Sequence, residues 1–427
     1  MQPRFNSRLV DYVHPLTGLA PTSIVTPGAL TPPQIAKAYG VPPGDGYGIT
    51  VGILALQDCG FSQNDLALSF QDLKNAGLMD ANVPVPTINK ILMDGVTGVF
   101  NANSPASQEA TLDIYCVATM VPRAKINLYV GTSLGNPLAV ALQDGCNVIS
   151  LSYVYPENAG YVYESLLQAA DSVNAALCVA SGDWGSADPN GNFTLTFPST
   201  SSHVISVGGT NLTLNANNTR NTEKDDNRDP GVTETVNGIN VTGGFGGGGG
   251  ISTLNAVPSW QSGLKYTPIT NGTRATNTVP YSGGTIGALT PLTFRGAPDI
   301  SAPMNAYGLY IGANRSFAAG TSAAAPLVAG ILARYQQLTG VARGATAWNT
   351  LFYGNPNSFY DIQVGTNNVI HPNGYVGTAG WDAVTGLGAI NADQFYKIIR
   401  TGTVFPRLNN GFRASSGLLY PRRTRLY

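Results

Sequence analysis

The 427-residue sequence predicts an α/β protein: one large domain with a mainly parallel central sheet flanked by helices. Three observations lead there. Short, continuous apolar runs recur at residues 49–56, 124–130, 147–152, 177–181 and 204–207, as expected of strands buried on both faces. Stretches of helical spacing lie among them, at 62–76, 107–120, 137–144 and 163–175, and strands alternating with helices imply parallel pairing. Ligands of such sheets sit beyond the carboxyl ends of the strands, and Asp58, Ser152 and Asp183 all fall at such ends.

Taken in order, residues 1–29 carry no core pattern and read as an extended arm. Thr31 stands where a helix cap belongs, just before two prolines that suit a first turn. The apolar strand 49–56 and the helix 62–76 follow, and the alternation then continues to residue 207. Residues 211–240 turn polar and read as a surface excursion. Residues 243–250 are glycine except for Phe245, which suits either a flexible linker or a place where a substrate backbone approaches closely. They do not cradle phosphate, because no Lys-Ser/Thr follows. Gly320-Thr-Ser322 opens an Ala-rich helix. After Arg400 the periodicity fades into a tail, 401–427, with arginines at 407, 413, 422, 423 and 425. That tail reads as a solvated segment, with an electrostatic anchor to another molecule as the alternative.

Composition narrows the function. Charged residues make up 11% of the chain, against about a quarter in ordinary domains. Few ionisable groups leave few ion pairs to lose in acid, which suits a protein working at low pH. A net charge of −1 speaks against a general nucleic-acid binder. The four cysteines (Cys59, Cys116, Cys146, Cys178) show no CxxC or metal-ligand spacing and read as buried thiols. No apolar run reaches the roughly 18 residues of a membrane span, and the first residues lack a hydrophobic signal core.

Candidate chemistry gathers at carboxylates and one serine. Ser322 sits where a helix N-terminus leaves N–H groups outside the helical ladder, which suits a cap or a nucleophile. A histidine base is hard to find: His14, His203 and His371 all lie in the arm or in loops. Asp58, before Cys59-Gly60, reads as a loop aspartate. Glu109 and Asp113 stand four apart on one helix face. If buried, such a pair shares protons and one pKa rises, and a glutamate serves as base in acid, where histidine is locked as imidazolium. Asp183, protonated in acid, could donate a hydrogen bond to an oxyanion.

These pieces together resemble the sedolisins, serine-carboxyl peptidases with a subtilisin-like fold. The resemblance runs from about Leu30 to Asn391, through Glu109-x-x-x-Asp113, Val148-Ile-Ser-Leu-Ser, Ala180-Ser-Gly-Asp183, Phe197-Pro, Ser206-Val-Gly-Gly-Thr, Arg295-Gly-Ala-Pro-Asp299, Gly320-Thr-Ser322, Phe359-Tyr-Asp361-Ile362 and Gly380-Trp-Asp382. It implies that Ser322 is the nucleophile, Glu109 its base and acid, Asp113 the group that orients Glu109, and Asp183 the oxyanion donor. Peptide bonds would be cleaved in acid through an acyl-enzyme. It further implies a substrate path along Ser152, Tyr153, Gly182 and Gly248. One calcium ion is implied on Asp361 and Asp382 with the carbonyls of Ile362, Thr378 and Gly380, an all-oxygen set suited to a hard cation.

The expected organisation is thus an arm (1–29) left from a prodomain joint, a peptidase domain (30–400) and a basic tail (401–427). The expected partners are peptide or protein substrates, with the protein a monomer, no nucleic acid, and a partner for the tail held open. The expected setting is secreted or an acidic, lysosome-like compartment. The sequence departs from the family pattern at Val154, where glycine is usual after Ser152-Tyr153, and at Thr378, also a usual glycine. The alternative is an impaired family member, either a peptide-binding protein or a particle-associated structural one.

Overall fold

The computed structural model describes residues 4–5, 8–9, 23–225, 233–236, 239–242, 246–273 and 281–401. Its centre is a ten-stranded sheet. Across it run Phe359–Tyr360, Ala389–Ile390, Ile300–Pro303, Ile205–Leu214, Ala176–Ala180, Val148–Leu151, Thr50–Ala55, Lys125–Val130 and Ile88–Leu92, with Arg220–Lys224 added beside Ile205–Leu214. Neighbours pair in parallel. The exceptions are Phe359–Tyr360 and Arg220–Lys224, which run antiparallel to their partners. Val51 lies opposite both Ile126 and Val148, and Ile149 opposite Leu177, all buried. These apolar runs survive as strands because helices cover both faces.

Ser62 caps the helix Gln63–Asn75, its hydroxyl accepting from Asp65 N at 3.2 Å. Thr31 does not cap in that way: its hydroxyl donates to Gln34 Oε1 at 2.8 Å and leaves the backbone N–H groups alone. The helix bearing Glu109 and Asp113 is Pro105–Met120, two residues longer at its start than the apolar pattern suggests, because Pro105 fits the first turn. Nearly every residue on it is buried, since it lies against the helix Thr321–Thr339. The two come so close that a Cβ on Gly330 would stand 2.5 Å from Met120 Cβ.

Part of the supposed surface excursion belongs to the sheet. Ile205–Leu214 continues past residue 211 and returns as Arg220–Lys224. The N-terminal residues Arg4–Phe5 pair antiparallel with Tyr153–Pro156, and Arg8–Leu9 with Asn314–Ala319. Arg295 and Asp299 form a fully buried ion pair at 2.6 Å. Asp299 also accepts from Ser206 N (2.8 Å) and the Tyr353 hydroxyl (2.9 Å), as a buried charge requires. All four cysteines are buried thiols. The basic tail from residue 402 lies outside the described residues, as does His14.

Candidate active site

The serine helix starts at Thr321 behind Gly320, whose φ of 127° is open to glycine and strained for other residues. That turn delivers Thr321 and Ser322 to the carboxyl edge of the sheet, and both are fully buried. Asp183, just beyond the strand Ala176–Ala180, meets them there. Its Oδ1 accepts from Thr321 N at 2.8 Å and from the Thr321 hydroxyl at 2.7 Å. Ser322 Oγ has no hydrogen-bond partner among the described residues.

Ser152 joins the serine to the carboxyl pair. Its hydroxyl lies 2.7 Å from Asp113 Oδ1 and 3.5 Å from the carbonyl of Ser322. Pro326 explains why that carbonyl is open: with no N–H, it cannot give the helical bond to the residue four back. Glu109 and Asp113 are both buried. Burial holds the Asp113 carboxyl well above its ordinary range, and Glu109 beside it adds to the rise, while the bond from Ser152 opposes both. The Tyr153 hydroxyl is raised by burial and by the nearby Cys59, Glu109 and Asp113. Burial also pushes the Cys59 thiol up to about 12, with Asp58, Asp113 and Glu109 adding to it. Cys59 is therefore a protonated wall rather than a nucleophile.

The glycine run is neither a linker nor open space in its described part. Gly248 N donates to Gly182 O at 2.6 Å, Gly246 N to Asp183 O at 3.2 Å, and Gly249 N to Gly185 O at 3.1 Å. A Cβ on Gly248 would stand 2.2 Å from Ser181 O. The run thus buttresses the turn that carries Asp183. Glu157 was not legible as part of this region. It is buried beyond the strand Tyr153–Pro156 and accepts from the Ser252 hydroxyl, from Thr253 N (3.0 Å) and from the Thr253 hydroxyl (2.7 Å). It ties the Tyr153–Pro156 edge to the strand that leaves the glycine run, and no sequence motif flags a carboxylate used in this way.

Other candidates lie apart. Asp58 accepts from Thr97 N, Gly98 N and the Thr97 hydroxyl, which holds its carboxyl low, as a loop aspartate. His203 Nδ1 lies 3.0 Å from Asp171 Oδ2, and His371 stacks on Phe193, so neither reaches Ser322.

Asp361 and Asp382 do come together. Asp361 Oδ2 accepts from Gly380 N and Asp382 Oδ2 from Thr378 N, each at 2.9 Å. Thr385 Oγ1 lies 3.5 Å from Ile362 O and 3.4 Å from Asp382 Oδ1. Burial pushes the Asp382 carboxyl up to about 7 against three backbone N–H bonds, with Asp361 adding to the rise. Among the described residues no three His, Cys, Asp or Glu side chains gather to hold a metal, so a cation here would need the loop carbonyls as well. The residues present fit that demand, being oxygen donors on two loops locked to each other.

A covered parallel sheet with a buried serine at a helix start and carboxylates around it defines a subtilisin-type architecture. Residues 96–352 match the subtilase family. The chain belongs to that family, within its sedolisin group. It is 30% identical over 386 residues to kumamolisin of Bacillus sp. (strain MN-32), covering 85% of this chain and 62% of that protein. It is 28% identical over 282 residues to tripeptidyl-peptidase SED1 of Arthroderma otae, covering 58% of this chain and 39% of that protein. The chain thus spans less than two thirds of these relatives' length. In fold it is similar to Pseudomonas sedolisin, a serine-carboxyl proteinase solved with two molecules of pseudo-iodotyrostatin. The TM-score is 0.66 at 22% identity, over 88% of this chain and 100% of that one. No helix among the described residues is long and apolar enough to cross a membrane.

Proposed function

We propose that the protein is a serine-carboxyl peptidase acting in acid. One observation carries the reading: Ser152 joins Asp113, one of the buried Glu109/Asp113 pair, to the Ser322 carbonyl, and Thr321, which opens the helix just before Ser322, holds Asp183. In this reading Ser322 Oγ attacks a peptide carbonyl carbon while Glu109 takes its proton. The tetrahedral oxyanion is met by protonated Asp183 and by N–H groups at the helix start. Glu109 then returns the proton to the leaving amine, and the acyl-enzyme ester is cleared by water with Glu109 again as base. Asp113, held by Ser152, orients Glu109.

The substrate would lie extended along Ser152 and Tyr153, over the turn at Gly182 that Gly248 supports. Support comes from the chain's own Arg4–Phe5 and Arg8–Leu9, which add antiparallel to Tyr153–Pro156, the strand that follows Ser152, and to Asn314–Ala319, the strand that leads into Gly320. One calcium ion would be held by Asp361 and Asp382 with the carbonyls of Ile362, Thr378 and Gly380, stiffening the C-terminal loops. The acid chemistry suits a secreted or lysosome-like setting.

The test is incubation near pH 4 with a mixed peptide library, beside a Ser322→Ala control, with the products sequenced. Cleavage lost in the control supports the reading, and the product ends separate endopeptidase from tripeptidyl-peptidase action. Intact peptides after incubation with folded, calcium-supplied protein overturn it in favour of a peptide-binding relative.

A further inference from the structure

Val154 stands two residues beyond Ser152 and is completely buried. Its side chain packs with Trp184, Ala187 and Ile370 in a small apolar cluster of its own, apart from the main core. Trp184 directly follows Asp183, and Ser152 touches both Asp113 and Ser322. The cluster therefore lies between the strand edge and the turn that flank the reacting serine.

The strand register says what that space is for. Arg4 lies opposite Val154 and Phe5 opposite Tyr153, so an extended chain added to this edge places its next residue opposite Ser152. Residues opposite Ser152 and Val154 project to the same face, and cross-strand diagonal neighbours lie about 7–8 Å apart. The scissile residue of the proposed reaction falls opposite Ser152 because Ser152 is the residue of this edge that touches Ser322, its hydroxyl 3.5 Å from the Ser322 carbonyl. Its side chain then points at the space that Val154, Trp184 and Ile370 fill.

We infer that Val154 narrows the pocket for the residue on the acyl side of the scissile bond, so that the enzyme selects small side chains (Gly, Ala, Ser) there. This rests on the peptidase reading. Packed interiors do not open to admit a bulky group without displacing side chains, so the discrimination is steric.

The test is kcat/KM for peptides identical except at that residue (Gly, Ala, Ser, Leu or Phe), with wild type, Val154→Ala and Val154→Gly. The expected result is an Ala-over-Phe preference of at least tenfold in the wild type, reduced in Val154→Ala and lost or reversed in Val154→Gly. Should Val154→Gly fail to fold, Val154→Ala carries the comparison. Equal cleavage after Ala and Phe by the wild type overturns the inference, as does a ratio unmoved in the folded variants. The same peptides are titrated calorimetrically into Ser322→Ala, with and without Val154→Gly. Small-over-bulky binding that Val154→Gly removes, together with no cleavage by wild type, sinks the peptidase reading and leaves the pocket assignment standing. Cleavage with a flat preference does the reverse.

Discussion

Thr321 directs both its N–H and its hydroxyl at one oxygen of Asp183, at 2.8 and 2.7 Å. With Oδ1 engaged as a double acceptor, the proton of a neutral Asp183 resides on Oδ2. The carboxyl therefore has a fixed orientation, an accepting side toward the helix start and a donating side away from it. That polarity is what the oxyanion donor proposed for Asp183 needs, and it comes from the residue beside Ser322, the proposed nucleophile.

Asparagine at 183 would keep this polarity, with Oδ1 accepting from Thr321 and Nδ2 donating. Asp183→Ala should lower kcat about a hundredfold or more, on the scale of a lost oxyanion donor, and Asp183→Asn distinctly less. Steady-state kinetics check this. Equal losses in the two variants would mean that donation by residue 183 is not the point.

Ser152 should act on turnover rather than on folding. Removing its hydroxyl takes away the 2.7 Å bond to Asp113 and the contact with the Ser322 carbonyl that Pro326 leaves open. Ser152→Ala is expected to reduce kcat about tenfold, the scale of one lost hydrogen bond. Ser152→Thr should restore part of it. A Ser152→Ala enzyme with wild-type kcat would show that Asp113 needs no such anchor.

Stability should fall as the pH rises. Asp113 has a folded pKa above its ordinary 3.8, so the native state keeps a proton that the unfolded chain releases. Its contribution is complete below that ordinary value and is lost as pH climbs through the folded one. His203 acts in the same direction: its hydrogen bond to Asp171 outweighs burial and raises it above 6.5, giving stability present below 6.5 and lost above the folded value. At Asp171 burial pushes upward, yet the bonds from His203 and Thr346 win and lower it. Its contribution is therefore present above 3.8 and lost in stronger acid. Urea unfolding at pH 4, 6 and 8 should show a midpoint falling with pH. Asp113→Asn should flatten the acid part of that fall and His203→Ala the part near neutrality. A midpoint rising from pH 4 to 8 would contradict the assignment.

Calcium should matter to folding independently of catalysis. At a hundredfold excess over its Kd a bound ion adds about 2.7 kcal/mol, so chelation should lower Tm measurably. Asp361→Asn should remove the dependence on calcium while leaving Asp382 to hold Thr378, Val384 and Thr385. Calorimetry with calcium and with chelator decides it, and a Tm indifferent to both would remove the ion from the account.

The sequence by itself determined the parallel sheet, because strands buried on both faces must be written as unbroken apolar runs. It also marked Glu109, Asp113, Asp183 and Ser322, since each sits at a helix spacing or strand end that the local pattern makes visible. Only the tertiary structure decided how these are joined. Ser152 to Asp113 spans 39 residues and Asp183 to Thr321 spans 138, and no local periodicity encodes a bond across such distances. Glu157 escaped notice for the same reason, its partners lying 95 and 96 residues away. The glycine run shows the limit most plainly: composition says that side chains are missing, but only the fold shows that the room goes to Ser181 and Gly182 of the chain itself. Spacing along a chain records which groups share a face, and packing alone settles which faces meet.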